Sequence, residues 1–422
     1  MISRELLTSV LLENEEEIPR YPLYHRTSPL GQFPLQVLIG IRRAGKSYLL
    51  YQRLQELLQS GIGWNELLYV NFEDERLIGM ELSDLNLLLE IHQSRYGKRP
   101  RLFLDELQII PGWEHFARRV ADQKYEVVIT GSNATMLSNE INAVLGGRYL
   151  SYTIYPYSFN ESLQASGTAS VSPSSLSTSA RGKLFGQWTH YLHFGGFPEA
   201  LSLPFPRQYL DSLYQKLFLG DICGRHSLEN LTALRMLFRK LSESVCRPIS
   251  HTRLRDIINA IGARATTSTI ISYLQYAREA YLVFSLENYA SKLVEKETNR
   301  KYYFMDNGIL NLFLADGQSA LLENAIAVEL LRRYGNQEGV YFYANGTDVD
   351  FVVPSEGLAI QSCYSLDDTP DTRKREFGAL QKLHRRHPLK KAIVITNSQE
   401  EEVLIHDLAI NVIPAWKWFT TQ

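Results

Sequence analysis

The stretch Gly40-Ile41-Arg42-Arg43-Ala44-Gly45-Lys46-Ser47 constrains this chain more than any other. The apolar run Val37-Leu38-Ile39 precedes it, and Tyr48-Leu49-Leu50-Tyr51 continues it with helical character. A Gly-x-x-x-x-Gly-Lys-Ser loop between a strand and a helix is an anion cradle. Its glycines let backbone N–H groups turn inward onto phosphates, its lysine reaches the β- and γ-phosphates, and its serine hydroxyl ligates Mg²⁺. The helix that follows presents its positive end to the same anion. The candidate nucleotide contacts are Gly40, Arg43, Ala44, Gly45, Lys46, Ser47 and Tyr48, with ATP and Mg²⁺ as the expected ligands.

A strand there asks for partners. Short apolar runs at Gln36–Ile39, Leu67–Phe72, Arg101–Leu104 and Glu126–Thr130 are interspersed with helical patterns such as Lys46 to Leu58 and Ser83 to Tyr96, with Ser83 as N-cap. Such alternation predicts a parallel α/β sheet, and a fifth run, Tyr149 to Tyr155, completes it. The third run ends in Asp105-Glu106. Asp105 is placed to hold Mg²⁺ opposite Ser47, and Glu106 to orient or deprotonate the attacking water. The fourth run ends in Thr130-Gly131-Ser132-Asn133. Ser132 is the candidate polar group between the acids and the γ-phosphate, with Thr130 and Asn133 as rivals and a simple backbone turn as the alternative. Arg148, in Gly146-Gly147-Arg148, is either an arginine for the γ-phosphate, within the chain or across a subunit boundary, or a surface residue before the fifth strand.

With 422 residues the chain exceeds one ordinary core. A formal net charge of −2 gives no global attraction to nucleic acid or an anionic membrane, so a nucleic-acid surface has to be a local patch. Cys223, Cys246 and Cys363 are too scattered for a zinc or disulfide framework. The apolar runs are too short to span a membrane, and the acidic stretch Glu13 to Glu17 follows no leader pattern. A cytoplasmic protein is expected.

These motifs carry a resemblance. The phosphate loop, FLDELQIIPGWEHFARRV (103–120), ITGSNATML (129–137) and LGGRYLSYTIYPYSFNE (145–161) are similar to a prokaryotic ATPase family of the AAA+ superfamily. YLHFGGFPEAL (191–201) and KYYFMDNGILN (301–311) are similar to its later motifs. The resemblance implies strand order 5-1-4-3-2, a nucleotide site built on Gly45, Lys46, Ser47, Asp105, Glu106 and Arg148, and a C-terminal domain of unknown function with a restriction-endonuclease-like fold.

The expected division is an ATPase domain at 1–160, a linker and helical region at 161–235, a winged-helix-like domain at 236–310 and the endonuclease-like domain at 311–422. The Ser- and Thr-rich tract Ser162 to Ala180 reads as a loop. Ser268–Glu279 would be the recognition helix, with Ile270, Ile271, Leu274 and Ala277 toward the core and Thr269, Ser272, Tyr273 and Tyr276 free to meet DNA. Positive charge nearby comes from Arg253, Arg255, Arg264 and Lys292. The alternative for this region is a structural arm.

Endonuclease-like folds use a helix Glu, a strand-end Asp and an acid-x-Lys on the next strand. Glu323 and Asp350 match the first two. The next strand carries Gln361 and Cys363, which supply a carbonyl and no lysine; Lys374 on the following helix is a distant substitute. A vestigial, inactive site is therefore expected. The basic zone from Arg373 to His387 is a solvated helix face or a polyanion patch.

The sequence thus predicts an ATPase that uses hydrolysis as a conformational switch. The rivals are an ATP-regulated DNA nuclease or DNA-binding protein, and a nucleotide-binding interaction module with negligible turnover, which would not need Glu106. DNA, a second copy or an unidentified protein remain open as partners.

Overall fold

The structure is a computed structural model, and it describes residues 2–31, 33–137, 139–168, 177–335 and 339–421. The chain divides into two compact units. One comprises Met1–Tyr155 with Glu279–Tyr281, the other Pro156–Arg278 with Leu282–Gln422.

The first unit is a five-stranded sheet of β1 (Leu35–Ile39), β2 (Leu67–Asn71), β3 (Arg101–Asp105), β4 (Val127–Gly131) and β5 (Leu150–Thr153). Its order is β2-β3-β4-β1-β5, and every pairing is parallel. That is the expected order read from the opposite edge. β1 and β4 are buried at every position, as strands covered on both faces by helices must be. Helices Lys46–Gln59, Asp84–Tyr96 and Trp113–Asp122 connect the strands. The N-terminal helix Arg4–Glu17 adds Leu7, Val10 and Leu11 to the same core. Ser83 makes no capping hydrogen bond, contrary to expectation; the Asp84 carboxylate accepts the Glu81 N–H instead.

The second unit begins with helix Phe159–Ala165, closed by a reciprocal capping box between Ser158 and Glu161. The expected loop over 162–180 is thus helical at its start. It is helical again at its end, where Ser177 caps helix Thr178–Phe194; residues 169–176 lie outside the described residues. A nine-stranded sheet dominates this unit. Its strands are β6 (Ile249–Ser250), β7 (Val283–Asn288), β8 (Asn299–Phe304), β9 (Tyr341–Ala344), β10 (Asp348–Val353), β11 (Leu358–Ser362), β12 (Lys391–Thr396), β13 (Glu401–Ile405) and β14 (Leu408–Pro414). They run in the order β13-β14-β12-β11-β10-β9-β7-β8-β6. Two residues of β7, Glu287 and Asn288, pair in parallel with Tyr341 and Phe342 of β9, making the sheet continuous across residue 310.

Helices Leu231–Glu243, His251–Ala260 and Thr267–Glu279 precede the β7–β8 hairpin. In the last helix Ile270, Tyr273, Leu274 and Ala277 are buried. That corrects the expected facing: Tyr273 belongs to the core, and Ile271 is 46% exposed. The buried set keeps strict i, i+3, i+4, i+7 spacing, and Ile271 falls outside it. Tyr276 stacks on His226 with ring centroids 3.6 Å apart.

Two of the motifs that carry the resemblance meet in this unit. Asp306, two residues beyond β8, accepts hydrogen bonds from the Gly196 N–H at 2.8 Å and the Gly308 N–H at 2.7 Å. A Cβ on Gly196 would lie 2.0 Å from the Tyr157 carbonyl oxygen, so only glycine allows this approach.

Candidate nucleotide site

The phosphate loop runs from the end of β1 into helix Lys46–Gln59. Gly45 is left-handed, at φ 95°. Gly40, at φ 143°, lies so close to the Ile154 carbonyl that a Cβ would sit 2.1 Å from its oxygen. Both glycines are required by the backbone. Lys46 is buried, and its ammonium donates to the loop's own Gly40 and Ile41 carbonyls at 3.0 and 3.2 Å. It lies 3.7 Å from the Glu106 carboxylate. Burial pulls the Lys46 ammonium below its ordinary pKa, against Glu106 and Asp105, which pull it up. Tyr48 is 54% exposed beside the loop, its ring edge-on to Tyr51.

The acidic pair closes the other side. Asp105 is fully buried. One of its oxygens accepts from the Tyr69 hydroxyl at 3.0 Å and the other from the Thr130 hydroxyl; the Ser47 side chain is also hydrogen-bonded to it. Burial, and then the neighbouring Glu106 charge, push the Asp105 carboxyl up, against those three hydrogen bonds. Glu106 adopts φ 54°, a left-handed conformation unusual for a side-chain-bearing residue and one that costs about 1–3 kcal/mol. Its N–H donates to the Thr130 hydroxyl at 2.9 Å, and its carboxylate accepts from the Ser132 N–H at 3.2 Å and from Gln108. Burial would raise the Glu106 pKa, but Lys46, followed by Gln108, Arg42 and Ser132, outweighs it and holds the carboxyl low. Glu106 is therefore ionised beside Lys46.

Gly40, Lys46, Ser47, Asp105 and Glu106 come together, while Arg43 and Tyr48 lie exposed on the loop. Ser132 touches Glu106, while its rival Thr130 links the two acids. Arg148 stands apart. Gln36 pairs with Leu150, which sets Arg148 level with Pro34, six positions before Gly40. At about 3.3 Å per strand residue that is roughly 20 Å from the loop. Arg148 pairs with Asp122 at the surface, so the reading of Arg148 as a γ-phosphate ligand within its own chain is corrected.

Sequence reasoning missed Arg26 and Tyr69. The Arg26 guanidinium donates to the carbonyls of Ala44 in the loop and Tyr155 beyond β5, at 3.0 and 3.1 Å. Its backbone N–H and carbonyl are both held by the Gln52 side chain at 2.9 Å. A glutamine on the inner face of an amphipathic helix was the available signal.

An AAA domain family matches residues 32–163. This covers β1 to β5 and the convergent site. Residues 32–163 are thus similar to AAA domains. A domain of unknown function, DUF8612, matches residues 186–320 of the second unit. The chain is similar to the uncharacterized protein MJ1544 of Methanocaldococcus jannaschii, 29% identical over 100% of this chain and 97% of the relative. It is also similar to an uncharacterized protein of Haemophilus influenzae, 28% identical over 90% of this chain and 94% of the relative. Among solved structures it resembles the Walker-type ATPase PABY2304 of Pyrococcus abyssi, at TM-score 0.41 and 16% identity over 74% of this chain and 96% of that one. A further likeness is Cdc6p of Pyrobaculum aerophilum, at TM-score 0.28 and 17% identity over 76% and 93% of the two chains. No described helix is long and apolar enough to cross a membrane.

Outside the AAA+ domain, Glu323 and Asp350 do converge, at a cavity of about 1220 Å³ in the second unit. They converge on Lys301 of β8, whose ammonium donates to both carboxylates at 2.9 Å. The site therefore has a lysine, which the sequence reading took to be missing. Gln361 is not the free carbonyl expected: its oxygen accepts the Asp350 N–H at 2.8 Å, and its amide donates to Glu376 at 2.8 Å. A bulge in β10 between Val349 and Val352 turns Asp350 toward this cluster. Lys374 lines the same cavity, but the ammonium on the two acids is that of Lys301.

Proposed function

We propose that the chain hydrolyses ATP at the AAA+ domain and uses the hydrolysis as a conformational switch for its second unit. The observation that carries this reading is the ionised, strained Glu106 held beside Lys46 and Ser132. Simple nucleotide binding needs the loop and a counter-ion; it does not need a buried carboxylate fixed in a left-handed backbone. Lys46 would move from the loop carbonyls to the β- and γ-phosphates, leaving Glu106 to orient and deprotonate the attacking water. Ser47 and Asp105 are already hydrogen-bonded to each other, which fits a shared ion, and they would hold Mg²⁺. Bound there, Mg²⁺ supplies positive charge to the phosphate oxygens. Thr130 keeps the two acids in register. An arginine contribution from Arg148 would have to come from a second copy of the chain.

The second unit would carry the mechanical response. The succession of helix Leu231–Glu243, β6, two further helices and the β7–β8 hairpin supports a winged-helix-like module. β6 and β7 both pair antiparallel with β8, as such a module requires. Hydrogen exchange of the full chain tests the switch. Mg·ATP with Glu106→Gln, and Mg·ADP with wild type, should give different protection within residues 156–278 and 282–421. Identical protection there would reject it.

A further inference from the structure

The cleft of the second unit holds an arrangement that an ATPase does not use. Lys301 is 5% exposed and Glu323 4%, yet both line a large cavity. Glu323 Oε1 also accepts the Tyr303 hydroxyl at 2.9 Å, and the Cys246 thiol is hydrogen-bonded to the same carboxylate. The second Asp350 oxygen accepts the Ser362 N–H at 3.0 Å. Glu376, the nearest further acid in this network, is taken up by Gln361 and Arg375. Among the described residues no group of three His, Cys, Asp or Glu side chains is arranged to hold a metal.

The residues therefore do not fit the divalent ion that an endonuclease-like site would carry. We infer that Lys301 is a tethered cation standing where that ion would sit, so that the cleft neither binds a divalent metal nor cleaves phosphodiesters.

The buried Glu323 carboxylate and the partly buried Asp350 carboxylate beside it need a positive partner between them. A divalent ion would satisfy both, but it would have to expel Lys301. The ammonium is fixed to β8 and lies almost out of reach of water, so it would be left buried and unpaired, among the costliest defects a fold can carry. The carboxylates in turn keep the lysine charged. Burial alone would lower its pKa, but Asp350 and Glu323 outweigh burial and raise it. A neutral lysine, able to take a proton from water, is thus disfavoured. The cluster also ties three elements together, because Lys301 comes from β8, Glu323 from helix Gln318–Tyr334 and Asp350 from β10. The nuclease reading expected the lysine on the strand after Asp350; it stands instead 22 and 49 positions before the two acids.

Mn²⁺ is the probe, followed as free ion by electron paramagnetic resonance on the full chain. Without nucleotide, wild type should bind no Mn²⁺ up to low-millimolar concentration. A single ion should appear only with an ATP analogue, and Lys46→Ala should raise the analogue concentration it needs by roughly tenfold or more. Lys301→Met should bind one Mn²⁺ without nucleotide, and adding Asp350→Asn should remove it. Supercoiled DNA with Mn²⁺ should remain uncut by wild type. Nucleotide-free Mn²⁺ binding by wild type that Asp350→Asn abolishes would overturn the inference. So would DNA nicking that is lost in Asp350→Ala and kept in Lys46→Ala, or a folded Lys301→Met that takes up no ion. If Lys301→Met does not fold, the wild-type and Asp350→Asn titrations decide alone.

Discussion

Thr130 donates its hydroxyl proton to Asp105, and the same hydroxyl accepts the N–H of Glu106. One side chain at the end of β4 thereby fixes both acids at the end of β3. Thr130→Val keeps the shape and removes both bonds, leaving the buried Glu106 N–H without its acceptor. We expect a loss of about 1–3 kcal/mol in stability by denaturant titration, together with slower turnover. Thr130→Ser should restore most of both. A valine variant as stable and as active as wild type would show that the link is incidental.

Lys46→Ala removes the buried cation of the loop. Hydrogen bonds to charged groups contribute about 1.5–3 kcal/mol, so ATP affinity should fall roughly tenfold or more. Calorimetry on the two proteins measures this directly, and equal affinities would contradict the role.

Arg148 makes a contrasting case. Because it stands level with Pro34 and pairs with Asp122, Arg148→Ala should leave the ATP affinity of a monomer unchanged. If the residue serves a neighbouring copy, turnover in the variant should lose its dependence on protein concentration. A weakened affinity in dilute, monomeric protein would contradict the placement.

Asp306 gives a dependence on pH. Burial pushes its carboxyl up from the ordinary value of 3.8 to about 6, against hydrogen bonds from Gly196, Gly308 and Ile309 that favour the charged form. The folded chain thus keeps a proton that the unfolded chain releases between about pH 4 and 6. Stability from this group is greatest below that window and falls as pH rises through it, by about 3 kcal/mol in order of magnitude. Asp306→Asn should flatten that slope. It should also cost about 1–3 kcal/mol, because an amide N–H would face the Gly196 or the Gly308 N–H. An unchanged slope would assign the titration elsewhere.

The AAA+ sheet was legible because each strand is an unbroken apolar run closed by turn or acidic residues. That pattern is what burial on both faces demands. Gly40, Gly45, Lys46, Asp105 and Glu106 were legible because phosphate chemistry fixes their spacing. Tyr69 was not, since a tyrosine inside an apolar strand reads as core and its hydroxyl partner is known only once β2 lies beside β3. The position of Arg148 depended on register, which no single strand reveals. The same holds for the second unit. Lys301 reads as an ordinary strand residue until β8, helix Gln318–Tyr334 and β10 are brought together, and Tyr273 and Ile271 exchange places with a small change in helical phase.

The most direct test of the account is steady-state phosphate release from Mg·ATP by wild type and Glu106→Gln, with binding measured on the same preparations. The account predicts that wild type turns over, and that Glu106→Gln binds Mg·ATP as wild type does while releasing phosphate about 10²-fold more slowly, the scale of a positioned base. Wild-type turnover no faster than the enzyme-free rate, or a Glu106→Gln variant that hydrolyses ATP at the wild-type rate, would contradict it.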